Sequence, residues 1–342
     1  MKRLLPFIPL LLLAAVLLSP AAAISGARQG LSLWWRSVFP ALLPSFICVR
    51  LAQELGLLRL ARRRPRGQLA AVIAFSLVSG APNGAKLLHA LVQDGSLSSR
   101  EGERLLPLIN CVSSAFLFSI IASELLKNKA LFLPLTVSFY GCLLCLLVPH
   151  ILCRQADQLP PCAGDEDAAP FSTALTAAIE GSMLDMLRVG GCILLACTLL
   201  AILRPIAVSM AAYAALAGLL EVSTGVAALC ELSLPLRVKA SLMIGTAAFG
   251  GLSLALQTAC CWPGLKLIPY LIQKLLFGAL IGFTCYLLFP LFPGVSAAFA
   301  SRQEVLQRSL SLSALILSSA LSAAFIGVLS LMIGPRNTNH LK

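Results

Sequence analysis

Long apolar runs constrain this chain more than any other feature. Leu4–Ile24, Val38–Leu58, Leu131–Leu152 and Leu265–Phe292 each approach or exceed the span needed to cross a bilayer as a helix, about 20 residues. Of the 342 residues 58% are hydrophobic and 12% charged, whereas a soluble domain carries about 25% charged residues. No single aqueous core hides that much apolar surface. Lipid offers no partners to backbone N–H and C=O groups, so runs of this length are read as helices. Further candidate segments are Leu69–Ser79, Leu105–Leu126, Val189–Leu203, Ile206–Leu220, Ala240–Leu256 and Leu310–Ile333, of which Leu69–Ser79 and Ile206–Leu220 are short. The expected fold is all-α: a polytopic transmembrane helical bundle of eight to ten segments.

The scarce charges mark topology. The chain carries 26 basic and 14 acidic residues, a net charge of +12. Lys2-Arg3 precede the first run, and Arg59, Arg62, Arg63, Arg64 and Arg66 follow the second. Both groups flank spans and agree as positive-inside signals, which predicts a cytoplasmic N-terminus and a multi-pass protein of the cell membrane. The Arg run has no interleaved aromatic residues, so no nucleic-acid partner is expected. Lys2-Arg3, Leu4–Leu18 and Ala21-Ala22-Ala23 are arranged like a signal peptide. More spans follow, so the segment is read as an uncleaved anchor. Arg154–Pro170, with Pro160-Pro161 and Asp165-Glu166-Asp167, is loop-like and divides the chain near its middle. Arg302 and Arg308 flank an amphipathic stretch before the last span, and Pro335–Lys342 is a polar tail.

Twelve cysteines are present, most of them inside apolar runs, where free Cys behaves as a small hydrophobe. Cys142 and Cys145 share a helix face without a neighbouring His or carboxylate. Cys260-Cys261 are adjacent, beside Trp262-Pro263. A zinc site needs about four convergent ligands, so no metal and no cofactor are expected.

The two halves repeat one order of features. Gly30-Leu-Ser-Leu-Trp-Trp-Arg36 opens a long apolar run, and so does Gly181-Ser-Met-Leu-Asp-Met-Leu-Arg188. Each is followed by a short apolar stretch ending in small and polar residues. These are Ser79-Gly80-Ala81-Pro82-Asn83-Gly84 in the first half and Glu221-Val222-Ser223-Thr224-Gly225 in the second. A second patch follows in each: Asn110-Cys111-Val112-Ser113-Ser114, then Gly250-Gly251-Leu252-Ser253. Gly84 to Asn110 is 26 positions and Gly225 to Gly250 is 25. Such patches unwind a helix and free backbone groups, which are tolerated where protein or a polar cavity satisfies them. Interrupted helices at matching positions of two repeats point to a transporter binding site. Small residues also serve close helix packing, the plainer reading of any one patch.

Lys86, just past the Pro82-Asn83-Gly84 break, can offset an anionic solute or reach the interface as a snorkelling lysine. Glu221 ends an apolar run and suits coupling to an ion or proton, or stands as a surface carboxylate at a helix end. Asn110, Ser113, Ser114, Ser253 and Gln257 offer neutral hydrogen bonds to a polar ligand. His89 shares the Lys86 face and is read as structural. Ser98 with Glu101 forms a capping box, which leaves Arg100, Glu101, Glu103 and Arg104 as solvated first turns. There is no phosphate-binding loop, dinucleotide fingerprint or zinc-protease helix. The chain is therefore not expected to be an enzyme.

Several motifs resemble a known family. Leu33-Trp34-Trp35-Arg36 with Phe39-Pro40 and Pro44, the Ser79-Gly80-Ala81-Pro82-Asn83-Gly84-Ala85-Lys86 break, and Glu103-Arg104-Leu105 with Asn110 look like the sporulation integral membrane proteins of the YlbJ type. Gly218-Leu-Leu-Glu221 with Gly225, and Phe249-Gly250-Gly251-Leu-Ser253 with Gln257, fit as well. The resemblance covers about residues 26 to 292. The chain departs from the family at Ala81, where an aromatic residue is usual, and at Asn83, where a small one is. The resemblance implies a "Gate" (nucleoside recognition) domain and a role in bacterial spore formation.

The expected organisation is an anchor at 1–25, a first repeat at 26–153, a linker at 154–180, a second repeat at 181–292, and a final stretch at 293–342. The halves are related and inverted, with broken or re-entrant helices. The leading expectation is a solute transporter or permease of spore formation for a small polar or anionic solute. Its site would comprise Ser79, Gly80, Pro82, Asn83, Gly84, Lys86, Asn110, Ser113, Ser114, Glu221, Ser223, Thr224, Gly225, Gly250, Gly251, Ser253 and Gln257. The alternative is a non-transporting membrane scaffold for spore-envelope machinery, acting through the loops Arg59–Arg66 and Arg154–Pro170.

Overall fold

A computed structural model describes residues 7–56, 67–114, 116–152 and 170–292. Lys2-Arg3, the Arg59–Arg66 run, Arg154 to residue 169, Arg302, Arg308 and the Leu310–Ile333 segment lie outside the described residues. Among the described residues the regular structure is helical throughout, with no strand. The α-helices are α1 Ile8–Leu18, α2 Pro20–Leu33, α3 Phe39–Glu54, α4 Gly67–Ser79, α5 Asn83–Gln93, α6 Ser99–Ile109, α7 Phe132–Leu152, α8 Phe171–Leu203, α9 Met210–Leu220, α10 Val222–Glu231, α11 Leu236–Phe249, α12 Gly251–Cys261 and α13 Leu267–Leu288. Among the described residues, five helical stretches are long and apolar enough to cross a membrane: Pro20–Glu54, Phe132–His150, Phe171–Ile206, Leu236–Cys261 and Leu267–Leu291. The chain is a polytopic helical membrane protein.

Proline and glycine decide where several runs are cut. The expected first span, Leu4–Ile24, is interrupted at Ser19, because the residue before a proline is pushed out of the helical region. Pro20 then starts α2, where its missing N–H costs nothing. Between α2 and α3 the chain widens into a π-helical turn, Trp34–Val38, with Phe39 N–H bonded to Trp34 O. Pro40 follows at once and cannot donate to Arg36 O, so a wider turn relieves the clash of its ring with that carbonyl. The expected Leu105–Leu126 span is likewise two pieces: α6 ends at Ile109, and a π-helical stretch, Phe116–Leu125, follows. The run expected from Ile206 becomes helical only at Met210, after the turn Arg204–Ile206. Helix α8 begins at Phe171, ten residues before Gly181, so it takes in the last ten residues of the stretch read as linker.

The chain divides into two compact units. One combines Met1–Pro44 with Glu180–Tyr286, the other Ser45–Ile179 with Leu287–Lys342. In the first, α2 and α8 run antiparallel in backbone contact. A Cβ on Gly26 would lie 2.6 Å from Cys197 O, and one on Gly30 2.9 Å from Leu194 Cα. One turn on, Trp34 lies over Gly190, and its Nε1–H donates to Met186 O at 3.0 Å. Helices α11 and α13 approach as closely: a Cβ on Gly245 would lie 2.9 Å from Gly278 O, and one on Gly282 2.9 Å from Ser241 O. Without a hydrophobic force between helices in lipid, such small-residue seams supply the attraction through close contact.

In the second unit, α4 and α5 form a short hairpin followed by α6, Phe116–Leu125 and α7. Leu135, Phe139, Leu143 and Leu147 recur every four residues as the buried face of α7, while Leu133 and Val137 are exposed. Ser98 is the N-cap of α6, its Oγ accepting the Glu101 N–H. Arg100 and Arg104 are exposed there, as the capping box predicts.

Candidate functional site: two pairs of helix breaks

In the second unit α4 stops at Ser79, and Gly80 takes φ +73°, a conformation that suits glycine. A cis Ala81–Pro82 peptide leads into α5. The other break, Asn110–Ser113, closes directly on this one. Ala81 N–H donates to Cys111 O at 2.7 Å. A Cβ on Gly80 would lie 2.8 Å from Ser113 N, and one on Gly84 2.8 Å from Ile109 O. Asn110 is fully buried, and its Oδ1 accepts the Ala85 N–H at 3.3 Å. Ser113 is buried, and its Oγ accepts the Phe116 N–H at 3.3 Å, while Ser114 is half-buried. Asn83, the first residue of α5, is 7% exposed, and its Nδ2 has no hydrogen-bond partner. Lys86 and His89 follow on α5, both half-buried.

The first unit carries the corresponding pair. Glu221 stands in extended conformation between α9 and α10 and is 2% exposed. Its Oε2 accepts the Thr224 N–H at 2.7 Å, and Ser223 adds backbone and hydroxyl donors. Burial excludes the reading of Glu221 as a surface carboxylate. Gly225 packs on Gly218, where any Cβ would overlap its backbone. The second break is Gly250 at φ +84° followed by Gly251 at φ +73°, two left-handed residues that end α11 and start α12. A Cβ on Gly251 would lie 3.2 Å from Gly218 O and Leu220 O, so this break backs onto the end of α9. Ser253 and Gln257 are buried on α12, and Gln257 Nε2 donates to Ser253 Oγ at 3.3 Å.

Within each unit the two breaks expected from sequence thus lie in contact. One device recurs in both. The helix starting at the first break has its third amide capped by a buried side-chain oxygen: Ala85 by Asn110 from the facing break, Thr224 by Glu221 from its own. Pro82 has no side-chain oxygen to offer; its carbonyl accepts the Ala85 N–H at 3.1 Å, and Asn110 Oδ1 adds a second acceptor at 3.3 Å. A buried orphan N–H costs about 1–3 kcal/mol, which gives Glu221 a structural duty beside any contact with a ligand, while Asn110 ties its break to the start of α5.

Lys274, absent from the expected set, is a further buried charge. It lies within the apolar α13 and is 1% exposed. One turn before it, Tyr270 Oη shares a hydrogen bond with Thr258 Oγ1 at 3.3 Å; one turn after it, Gly278 meets Gly245 and Phe249. This antiparallel register puts Lys274 level with Gly250–Leu254. The signal was in the sequence: one ammonium within a mostly apolar 22-residue helix is costly in lipid unless partnered or functional. A search for Gly and Pro interruptions passes over it. Asp185, 4% exposed, is another buried charge among the described residues, and Arg188 pairs with it at 3.3 Å.

No family model and no solved structure matches the chain. It is similar to the sporulation integral membrane protein YlbJ of Bacillus subtilis (strain 168), 35% identical over 141 residues. That alignment takes in 38% of this chain, and the chain spans about a third of the relative's length, 35%. The resemblance to sporulation integral membrane proteins of the YlbJ type is thereby supported by direct sequence similarity over part of the chain.

Proposed function

We propose that the chain is a solute transporter or permease serving spore formation, built from two inverted repeats, with the two break clusters supplying polar contacts to a small polar or anionic solute. The carrying observation is that each unit joins an interrupted hairpin to a second interrupted helix, with polar side chains buried at the junction. The breaks follow one order along both parts of the chain, which favours a repeat, and α2 and α8, which open those parts, run antiparallel, which favours inversion. Lys86 and Lys274 are the candidate cations for an anionic group. Asn83 supplies an uncommitted amide donor, and Glu221 is the candidate coupling carboxylate. The resemblance to proteins with a Gate domain and the positive-inside orientation, with the N-terminus in the cytoplasm, belong to the same reading.

The test is complementation in a spore-forming host that lacks its own relative, with protein level followed by immunoblot. Lys86→Ala, Glu221→Gln and Gly80→Leu are expected to abolish spore formation at normal protein level for the first two. If both are silent while deletions in Arg59–Arg66 or Arg154–Pro170 are not, the chain acts as a scaffold instead.

A further inference from the structure

At the end of the first unit away from its breaks, three cations are gathered. Arg204 follows the last turn of α8, and Arg237 and Lys239 lie at the start of α11. Glu221 alone joins α9 to α10, and Gly225 packs back on Gly218, so the start of α9 and the end of α10 lie at one end. Lys239 Nζ donates to Cys230 O at 2.7 Å, which brings the start of α11 there. Arg237 Nε donates to Tyr286 O at 2.8 Å, which adds the end of α13. Among the described residues none of the three cations has a carboxylate within ion-pair distance, although Glu231 is exposed in the same stretch.

Two of these cations are laid on aromatic rings. The Arg204 guanidinium lies 4.4 Å over the Tyr213 ring and that of Arg237 3.7 Å over the Tyr286 ring. With Nε on a carbonyl and the plane on a ring, Arg237 is oriented, and no contact among the described residues takes up its two Nη groups. Beside Arg204 the chain presents Ile206 and Val208, 72% and 95% exposed. A snorkelling side chain accounts for a charge at a helix end. It does not account for guanidiniums fixed on rings next to fully presented apolar side chains. The dipole of α11 also opposes Arg237 and Lys239 at its start unless an anion stands beside them.

We propose that this end of the unit binds anionic phospholipid, with the headgroup phosphate on Arg204 and Arg237 and the acyl chains around Ile206 and Val208. A phosphodiester offers two oxygens to the forked N–H donors of a guanidinium. Three uncompensated cations favour a headgroup with net negative charge over a zwitterionic one, which brings its own cation. The site shares no residue with the break clusters and stands independently of the transport reading.

The experiment takes the full chain in detergent, adds phosphatidylglycerol and phosphatidylcholine in equal amounts, and counts retained lipid by native mass spectrometry. The expected result is preferential retention of phosphatidylglycerol, weakened about fivefold by Arg204→Gln and by Arg237→Gln, the change expected for one basic side chain at an anionic surface. Substitution of the exposed Arg100 and Arg104 by Gln leaves it unchanged. Equal retention of the two lipids overturns the proposal, as does undiminished retention in the Arg204→Gln Arg237→Gln double variant or an equal loss in the Arg100→Gln Arg104→Gln control. Displacement of the lipid by millimolar inorganic phosphate overturns it too, since the site then takes a free anion. Should loss of the Tyr286 bond unfold Arg237→Gln, Arg204→Gln and the wild-type lipid preference decide.

Discussion

Single residues at the breaks are held by specific geometry, which makes them separable by substitution. Gly80 and Gly264 both have positive φ, but a Cβ meets Ser113 N at 2.8 Å on Gly80 and nothing within 4 Å on Gly264. Gly264→Ala should cost only the left-handed penalty, about 1–2 kcal/mol. Gly80→Ala should cost clearly more, and thermal unfolding in detergent compares the two. Glu221 allows a sharper division. Gln at 221 keeps an oxygen for the Thr224 N–H, whereas Ala orphans that buried donor at about 1–3 kcal/mol. Glu221→Gln is thus expected to retain near wild-type stability and Glu221→Ala to lose it. Activity lost in Glu221→Gln at unchanged stability would mark a role for the charge itself. The polar residues at the breaks were legible in sequence because they interrupt apolar runs at matched spacing. The contact of Asn110 with the Ala85 amide was not, since it joins residues 25 positions apart across two breaks.

At the scale of elements, sequence shows where apolar surface lies better than where helices are cut. Leu105–Leu126 reads as one continuous span, yet Asn110–Ser113 leaves the helix, because the exchange of hydrogen bonds with the facing break offsets the lost intrahelical ones. The Trp34–Val38 widening was equally hidden, being a local response to Pro40. Seams between helices are readable only once the partner is known. Gly26 and Gly30 are spaced for close approach, but that they meet Cys197 and Leu194 is tertiary information. Gly30→Leu should drive α2 off α8 and destabilise the fold strongly. Trp34→Phe removes the bond to Met186 O, worth about 0.5–1.5 kcal/mol, together with part of the indole ring over Gly190, and should cost less than Gly30→Leu. Denaturation of the purified protein in detergent ranks the two, and equal effects would contradict the close seam.

For the whole molecule, the sparse charges divide into two groups with different physics. Exposed ones such as Arg100, Arg104 and Lys266 stand at helix ends or turns. Of the buried ones among the described residues, Glu221 and Lys274 stand at or level with helix breaks, while Asp185 lies within α8 beside Arg188. The central claim is that the break clusters face a path that water and solute can enter. Cysteine accessibility in membrane vesicles measures this most directly. Single cysteines at positions 83, 113, 223 and 253 are introduced into a variant stripped of its native cysteines and treated with a charged, membrane-impermeant thiol reagent. Leu276 and Phe283, 65% and 61% exposed on the apolar α13, provide lipid-facing controls. The account predicts that the four break positions react and the two controls do not. Break positions as inert as Leu276 and Phe283 would contradict it.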